Sequence, residues 1–154
     1  MKLTSPAFSN QETIPTKYTC DGDNINPPLQ ISEIPEKTQS LVIIMDDPDV
    51  PEQVRPEKMF DHWVFFNIPP TTVEIAENST PAGIPGSNTR GGHVYVGPCP
   101  PPQYDPTEHR YFFKLYALDI MLSLQEGASK KEVEVAMKDH ILAEDVLMGL
   151  FDRS

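Results

Sequence analysis

The chain has 154 residues, of which 38% are hydrophobic and 23% charged, so we expect a globular protein with one domain over residues 1–154. No apolar run approaches the roughly 20 residues that a bilayer span needs, which argues against an integral membrane segment. The net charge of −11, with no basic cluster longer than Lys130-Lys131, argues against nucleic acid and anionic membranes as partners.

The N-terminus and the two cysteines bear on the cellular compartment. Residues 1–6 lack the apolar core and cleavage site of a secretory signal, so we expect the chain to stay in the cytoplasm. Neither Cys20 nor Cys99 lies in a CxxC or Cys/His spacing typical of structural zinc. In a reducing cytosol we expect both to be free thiols, and we expect no cofactor and no bound metal.

The 17 prolines fall between apolar segments, where they punctuate strands because proline lacks the N–H that a ladder needs. The segments between them suit strands in length and composition, most clearly where β-branched or aromatic residues cluster. In chain order we predict strands over residues 3–8, 29–31, 39–45, 60–68, 94–96 and 111–118.

Only the last quarter of the chain has a helical pattern. Ser129 and Glu132 have the spacing of a capping box, and apolar residues from Val133 to Ile141 recur at three- and four-residue steps. We predict a helix over residues 129–143 and a closing strand over 145–151, because Gly149 interrupts a longer helix. The fold expected from these elements is a mainly antiparallel β-sandwich with a peripheral C-terminal helix.

Three carboxylates stand where the strand over residues 39–45 ends. They are Asp46, Asp47 and Asp49, and loops at the ends of rigid strands are where sites are usually built. Aspartate before a proline such as Pro48 is also ordinary turn chemistry, so a solvated turn is the alternative interpretation.

Two histidines and a tyrosine lie on the aromatic strands. Strand alternation predicts that His62 shares a face with Val64 and that His109 shares a face with Tyr111. His62, His109 and Tyr111 would then converge near the carboxylates; the alternative for a lone histidine is a satisfied core or surface side chain.

The segment Gly97-Pro98-Cys99-Pro100-Pro101-Pro102 predicts a stiff, extended loop just ahead of His109. Its position favours the wall of a pocket. A polyproline linker, or a ligand for a proline-binding module, is the alternative.

Six strings in this order resemble the bacterial and archaeal branch of the phosphatidylethanolamine-binding (Raf kinase inhibitor-like) protein family. They are Tyr18-Thr19-Cys20-Asp21-Gly22 continuing to Asn26-Pro27-Pro28-Leu29, Asp47-Pro48-Asp49-Val50-Pro51, His62-Trp63-Val64 to Asn67-Ile68-Pro69, Gly97-Pro98-Cys99-Pro100-Pro101, His109-Arg110-Tyr111 and Leu115-Tyr116-Ala117-Leu118-Asp119.

The resemblance implies a Greek-key β-sandwich with a small pocket for phosphate-like or other small anions at one end. The residues that match the family's pocket are Asp47, His62, His109 and Tyr111, with Pro51, Gly97 and Cys99 at its rim or floor. Asp49 and Arg110 are expected to hold the loops together.

We therefore expect a non-enzymatic binding protein that holds phosphate or a phosphorylated headgroup and modulates a partner protein such as a kinase or protease. A homodimer is the assembly that the resemblance suggests. Because Asp47 has the wrong charge for an anion site, we interpret it as the acceptor of a proton from one histidine, which raises that pKa so that the ring presents N–H to the ligand.

Two enzymatic hypotheses use the same residues. The histidines and the carboxylate could hold a catalytic metal. Alternatively, Cys99, His109 and Asp47 could form a nucleophilic triad.

Overall fold

Two antiparallel sheets and one helix build the fold of the computed structural model, which describes residues 1–154. The elements are β1 (Lys2–Thr4), β2 (Leu29–Ser32), β3 (Ser40–Asp47), β4 (Phe60–Ile68), β5 (Glu74–Ile75), β6 (Ile84–Pro85), β7 (Glu108–Leu118), α1 (Lys130–Met137) and β8 (Ile141–Asp152). The larger sheet has the order β6-β4-β3-β7-β8 and the smaller one β1-β2-β5.

Strand β3 lies at the centre of the larger sheet, and every one of its residues is buried. Its residues Ile43 and Met45 face the main core, which lies between the two sheets. Val42 and Ile44 face a second, smaller core under the helix. Because both faces of the strand are covered, its sequence is a continuous apolar run rather than an alternating one.

The fold class expected from the sequence is confirmed: the chain is mainly antiparallel β with a C-terminal helix. Strand β4 has the predicted bounds, while β3 and β7 each extend beyond the predicted segment to include Asp47 and His109. Asp47 therefore lies at the end of β3 and His109 at the start of β7, and neither lies in the adjoining loop.

Three of the predicted elements are wrong in detail. The first strand covers Lys2–Thr4 and not residues 3–8. The helix ends at Met137, not at residue 143, because the backbone turns through a positive φ of 68° at Asp139 and Ile141 begins β8. Residues 94–96 form no strand, although the backbone N–H of Val96 donates to the carbonyl of His62. The predicted closing strand exists and is longer than expected.

The helix begins as its sequence predicts. The Ser129 hydroxyl accepts a hydrogen bond from the Glu132 N–H at 3.1 Å, and the Glu132 carboxylate accepts one from the Ser129 N–H at 3.2 Å. This capping box satisfies two N–H groups that the first helical turn leaves free. The helix packs Val133 and Met137 onto the second core, and it does not have the length and apolar character that a membrane crossing requires.

The outer edge of β8 is covered by the N-terminal segment, defined here as residues 10–14. Ile14 donates to the carbonyl of Leu150 at 2.8 Å, and Leu150 donates to the carbonyl of Glu12 at 3.0 Å. Gly149 lies under this segment, where a Cβ atom would collide with Ile14 and lie 2.9 Å from the Phe8 ring. The close approach explains why a glycine stands inside the strand.

Candidate functional site

A β-bulge at His62 decides which way the site residues point. Met45 pairs with Trp63 and Asp46 pairs with Asp61, so His62 has no partner on β3. The bulge reverses the alternation of side chains at this point. Strict alternation placed His62 on the face of Val64, and that prediction is wrong: its ring meets the Tyr111 ring edge-on at 5.4 Å, on the side of the main core.

Ordinary strand alternation separates the two adjacent carboxylates of β3. Asp46 and Asp61 both turn toward the helix, where the Lys130 amine lies 3.0 Å from Asp46 and 2.9 Å from Asp61. Lys114 adds a second ion pair to Asp46 at 2.9 Å. Asp47 points to the opposite face, so only one of the neighbouring aspartates is available to the site.

Asp47 and His109 form a buried ion pair. The Nδ1 of His109 donates to Asp47 Oδ2 at 2.7 Å, and its Nε2 donates to the Pro106 carbonyl at 3.0 Å. A carboxylate and a carbonyl both accept, so the two ring nitrogens donate together when the ring is an imidazolium. Burial lowers the pKa of His109, but the hydrogen bond and charge of Asp47 outweigh burial and leave that pKa raised.

The second oxygen of Asp47 is also engaged. Its Oδ1 accepts a hydrogen bond from the Asp49 N–H at 2.7 Å, which stabilises the turn after β3. Asp47 therefore connects β7 to this turn, and its charge is balanced by His109 without any ligand.

His62 is buried, with 4% of its surface exposed, and carries no charge. Its Nδ1 donates to the Val96 carbonyl at 2.6 Å. Burial lowers the pKa of His62 to about 4, against the smaller opposing effects of the Val96 hydrogen bond and Asp47. The Nε2 atom is buried and has no hydrogen-bond partner.

Tyr111 is the third buried polar group of the site. Its side chain has no exposed surface, and its hydroxyl has no partner at ordinary hydrogen-bond distance, although Asp47 lies near enough to contribute to its raised pKa. Burial raises the pKa of the phenol, so the hydroxyl keeps its proton and can donate it.

A cavity of about 280 Å³ opens beside these groups. Among its lining residues are five of the predicted site residues: Asp47, His62, Gly97, Cys99 and His109. Tyr111 does not line the cavity but lies behind His62. Pro51 does not line it either, and borders a neighbouring depression with Pro48 and Asp49.

Arg55 and Arg90 also line the cavity, and the sequence analysis missed both. Each lies in an irregular turn with no motif to mark it. Pro51 accepts a hydrogen bond from the Arg55 N–H at 3.0 Å, so it positions the first of these turns. The Arg90 turn is tied to β4 by a hydrogen bond from the Asp61 N–H to the Thr89 hydroxyl at 2.7 Å.

The wall loop, residues 96–101, closes one side of the cavity and is held by a disulfide. Cys20 and Cys99 are bonded, with their Cα atoms 5.4 Å apart. The expectation of two free thiols is therefore wrong. A sequence separation of 79 residues hides the pairing, and only the fold brings the two segments together.

Gly97 makes this approach possible. Its N–H donates to the Asn24 side chain at 2.7 Å, and the backbone of Tyr18 leaves no space for a Cβ atom. The Cys20 N–H also donates to the Pro98 carbonyl at 3.1 Å. The wall loop is thus fixed by backbone contacts as well as by the disulfide.

Asp49 and Arg110 connect the turn after β3 to strand β7 outside the cavity. The guanidinium donates to both carboxylate oxygens of Asp49 at 2.8 and 2.9 Å, and the Arg110 N–H adds a third bond at 2.9 Å. These hydrogen bonds lower the pKa of Asp49. The structure thus contains the loop contact that the sequence analysis expected of this pair.

Comparison with protein families gives one match that spans nearly the whole chain. Residues 4–152 match the family model described as phosphatidylethanolamine-binding protein. A protein of Chlamydia pneumoniae named UPF0098 is 42% identical over 154 residues, with full coverage of both chains. A UPF0098 protein of Methanothermobacter thermautotrophicus is 46% identical, with 99% of each chain covered.

Two solved structures share the fold over almost all of the chain. A putative phosphatidylethanolamine-binding protein homologue from Chlamydia trachomatis superposes with a TM-score of 0.93 at 43% identity, covering 99% of this chain and 97% of that one. YbcL of Escherichia coli, described as a new member of the mammalian PEBP family, gives a TM-score of 0.87 at 25% identity, with 99% and 98% covered.

Proposed function

Since this chain belongs to the phosphatidylethanolamine-binding protein family, we propose that it is a non-enzymatic binding protein whose cavity beside His62 holds a small oxyanion such as phosphate or a phosphorylated headgroup. Membership of this family supports a binding role in general. The ligand class is our proposal and rests on the chemistry of the cavity.

One observation carries the proposal: a buried polar group of a residue that lines the cavity lacks a partner, and so does a second group behind that residue. The His62 Nε2 atom and the Tyr111 hydroxyl have no hydrogen-bond partner within the protein. A buried polar group without a partner costs about 1–3 kcal/mol, so such groups in a native fold call for an explanation. A polar ligand in the cavity would supply a partner to His62, and to Tyr111 where it reaches past the His62 ring.

The charges around the cavity favour an anion. Arg55 and Arg90 line the cavity in a protein whose net charge is −11, and arginine suits oxyanions because its guanidinium can donate two parallel hydrogen bonds. His109 and Asp47 neutralise each other. Arg55 lies 3.7 Å from the Glu57 carboxylate and donates to the Met59 carbonyl, so the positive charge offered to a ligand would come chiefly from Arg90.

The role assigned to Asp47 from the sequence needs revision at one point. Asp47 does accept a hydrogen bond from a histidine and helps to raise the pKa of His109. However, the other N–H of His109 donates to Pro106 and is not free for a ligand. We therefore assign this ion pair to holding the site together, and ligand binding to His62, Tyr111 and the arginines.

The enzymatic alternatives gain no specific support. The sulfur of Cys99 is bonded to Cys20, so it is not a free thiolate nucleophile. No group of three His, Cys, Asp or Glu side chains is arranged to hold a metal ion. We keep the binding function as the single candidate.

We extend the proposal to modulation of a partner protein, such as a kinase or protease. We also propose that the protein is a homodimer in the cytoplasm. The dimer is tested by sedimentation of the purified chain over a range of concentrations. A mass that stays monomeric at the highest concentration would contradict it.

Isothermal titration of inorganic phosphate into the purified protein tests the binding function. Saturable 1:1 binding is expected, and Tyr111→Phe should weaken it by about 10- to 100-fold, the range for a hydrogen bond to a charged group. Tyr116→Phe is the matched control because Tyr116 lies on the same strand but packs against the second core. It should leave the affinity unchanged.

A second pair of variants tests the source of positive charge. Arg90→Gln should weaken phosphate binding, while Lys131→Gln, which removes an equal charge far from the cavity on α1, should not. Absence of binding to the folded wild type, or equal losses in both charge variants, contradicts the proposed site.

A further inference from the structure

The Nε2 atom of His62 is a hydrogen-bond acceptor and not a donor. Its Nδ1 lies 2.6 Å from the Val96 carbonyl, which can only accept, so the ring proton is on Nδ1. Nε2 then carries a lone pair, is buried and has no partner in the protein. A buried acceptor at the cavity demands a donor from whatever binds there.

The groups around His62 do not turn it into a donor. Those that face it or lie near it are Asp46 and Asp47 from β3, Phe60 and Asp61 from β4, His109 and Tyr111 from β7, and the two cavity arginines. The carboxylates favour a charged ring, but each is already bonded to a lysine or to His109. Burial outweighs them and lowers the pKa of His62 to about 4.

We propose that His62 makes the cavity selective for oxyanions that still carry an acid proton, namely hydrogen phosphate and singly protonated phosphate monoesters, against fully ionised oxyanions of the same size such as sulfate. This inference rests on the proposed function, because it specifies which anion the same cavity accepts.

The selectivity follows from matching donors and acceptors. In hydrogen phosphate, a P–O–H group donates to Nε2 while the remaining oxygens accept from Tyr111 and the arginines. Sulfate has no proton at neutral pH, so one of its oxygens would face the lone pair of Nε2. Binding sulfate would then require protonation of His62, which becomes tenfold less favourable with each pH unit above its pKa.

Titration of the wild-type protein with phosphate and with sulfate, at pH 7.5 and constant ionic strength, tests the inference. Sulfate should bind at least about 30-fold more weakly, because a buried acceptor left facing an oxygen loses a hydrogen bond and costs its desolvation. The comparison needs no variant and therefore does not depend on whether a substituted chain folds.

Methyl phosphate separates a free phosphate from a phosphorylated group. Its acid proton is lost near pH 6, as for phosphorylated side chains, whereas inorganic phosphate keeps one O–H at pH 8. Between pH 5.5 and 8.0, methyl phosphate should lose at least about tenfold in affinity as its donor is lost, and inorganic phosphate should lose clearly less. If only inorganic phosphate binds at pH 5.5, the ligand is the free ion; if both bind, it includes monoesters.

Two further measurements examine His62 itself. Long-range ¹H–¹⁵N spectra should show an unprotonated Nε2 in the free protein and in the phosphate complex. His62→Phe removes the acceptor, so the preference for phosphate over sulfate should fall to within about threefold, less than the contribution of one hydrogen bond.

The outcomes distinguish this inference from the proposed function. Equal binding of phosphate and sulfate, or a protonated Nε2 in the phosphate complex, would overturn the selectivity while leaving the anion site intact. Failure of both anions to bind the folded protein would overturn both.

Discussion

The rings of His62 and His109 both lie close to the ring of Tyr111, yet their pKa values shift in opposite directions. Their ring centres lie 5.4 and 6.3 Å from that of Tyr111. Burial decides the state of His62 and lowers its pKa, while Asp47 decides the state of His109 and raises its pKa. Burial at one histidine and a bonded carboxylate at the other thus give the two rings opposite pKa shifts.

Acid should destabilise the fold through His62. Between its ordinary pKa of 6.5 and its folded pKa of about 4, only the unfolded chain binds the proton, so stability falls as pH falls. The loss amounts to about 3 kcal/mol across this window at 1.36 kcal/mol per pH unit. Urea unfolding at pH 7 and pH 4.5 measures it.

His62→Phe should show a smaller loss over the same pH interval, because phenylalanine binds no proton. His93→Asn is the control, since His93 is exposed and should not alter the slope. If the wild type and His62→Phe lose the same stability, His62 is not held neutral in the fold.

The contribution of His109 to the free energy of unfolding should have the opposite pH dependence. Because its folded pKa is raised, its stabilisation is fully present below the ordinary value of 6.5 and is lost as pH rises through the folded pKa. Unfolding of the wild type and His109→Gln at pH 6 and pH 9 should show a larger difference at pH 6.

Asp47→Asn should destabilise the protein at pH 6 by about 3 kcal/mol, because it leaves a buried imidazolium without its counter-charge. Asp105→Asn in the neighbouring loop should have little effect on stability, since Asp105 is exposed and forms no ion pair. Equal losses in the two variants would mean that the ion pair contributes nothing specific.

At the scale of elements, the disulfide joins the wall loop to the segment that follows β1. Replacing Cys20 and Cys99 together by serine should lower the free energy of unfolding by about 3 kcal/mol, the usual effect of removing a long-range link. It should also weaken phosphate binding, because Gly97 and Cys99 line the cavity. Urea unfolding and phosphate titration measure the two effects.

Reducing agent should reproduce both effects in the wild type and have none in the double serine variant. An unchanged affinity on reduction would show that Gly97 and the backbone contacts alone hold the wall loop. Disulfides are rare in a reducing cytosol, so the redox state of this pair in cells also tests the expected cytoplasmic location.

Strand β8 depends on the absence of a side chain at Gly149. Gly149→Ala should destabilise the fold by about 1–3 kcal/mol through overpacking against Ile14 and Phe8. Gly92→Ala is a suitable control because the nearest atom to its added Cβ is 3.4 Å away. Thermal unfolding measures both, and equal effects would mean that packing under the N-terminal segment is not the cause.

For the whole molecule, the sequence predicted what depends on local pattern. The bounds of β4 follow from an aromatic run between turn residues, and the capping box at Ser129 marks the start of α1. The helix end was overestimated because Ile141 continues the apolar spacing while the backbone reverses at Asp139. A pattern of side chains does not report a left-handed backbone residue.

The sequence predicted the candidate site only in part. The features that it did not predict depend on contacts between residues distant in sequence. The bulge at His62 depends on the register between two strands, which no alternation rule contains. Arg55 and Arg90 meet at the cavity only through turns distant in sequence. The bond between Cys20 and Cys99 likewise requires the folded arrangement. Five of the seven predicted site residues nonetheless line one cavity.

The contact between the N-terminal segment and β8 bears on the order in which the protein folds during synthesis. A ribosome makes residues 10–14 long before their backbone partners, Met148 and Leu150. At synthesis rates of about 5–20 residues per second, the early segment waits several seconds without the strand it will cover. The edge of β8 is therefore covered only after that strand has been made, by a segment that was synthesised long before it.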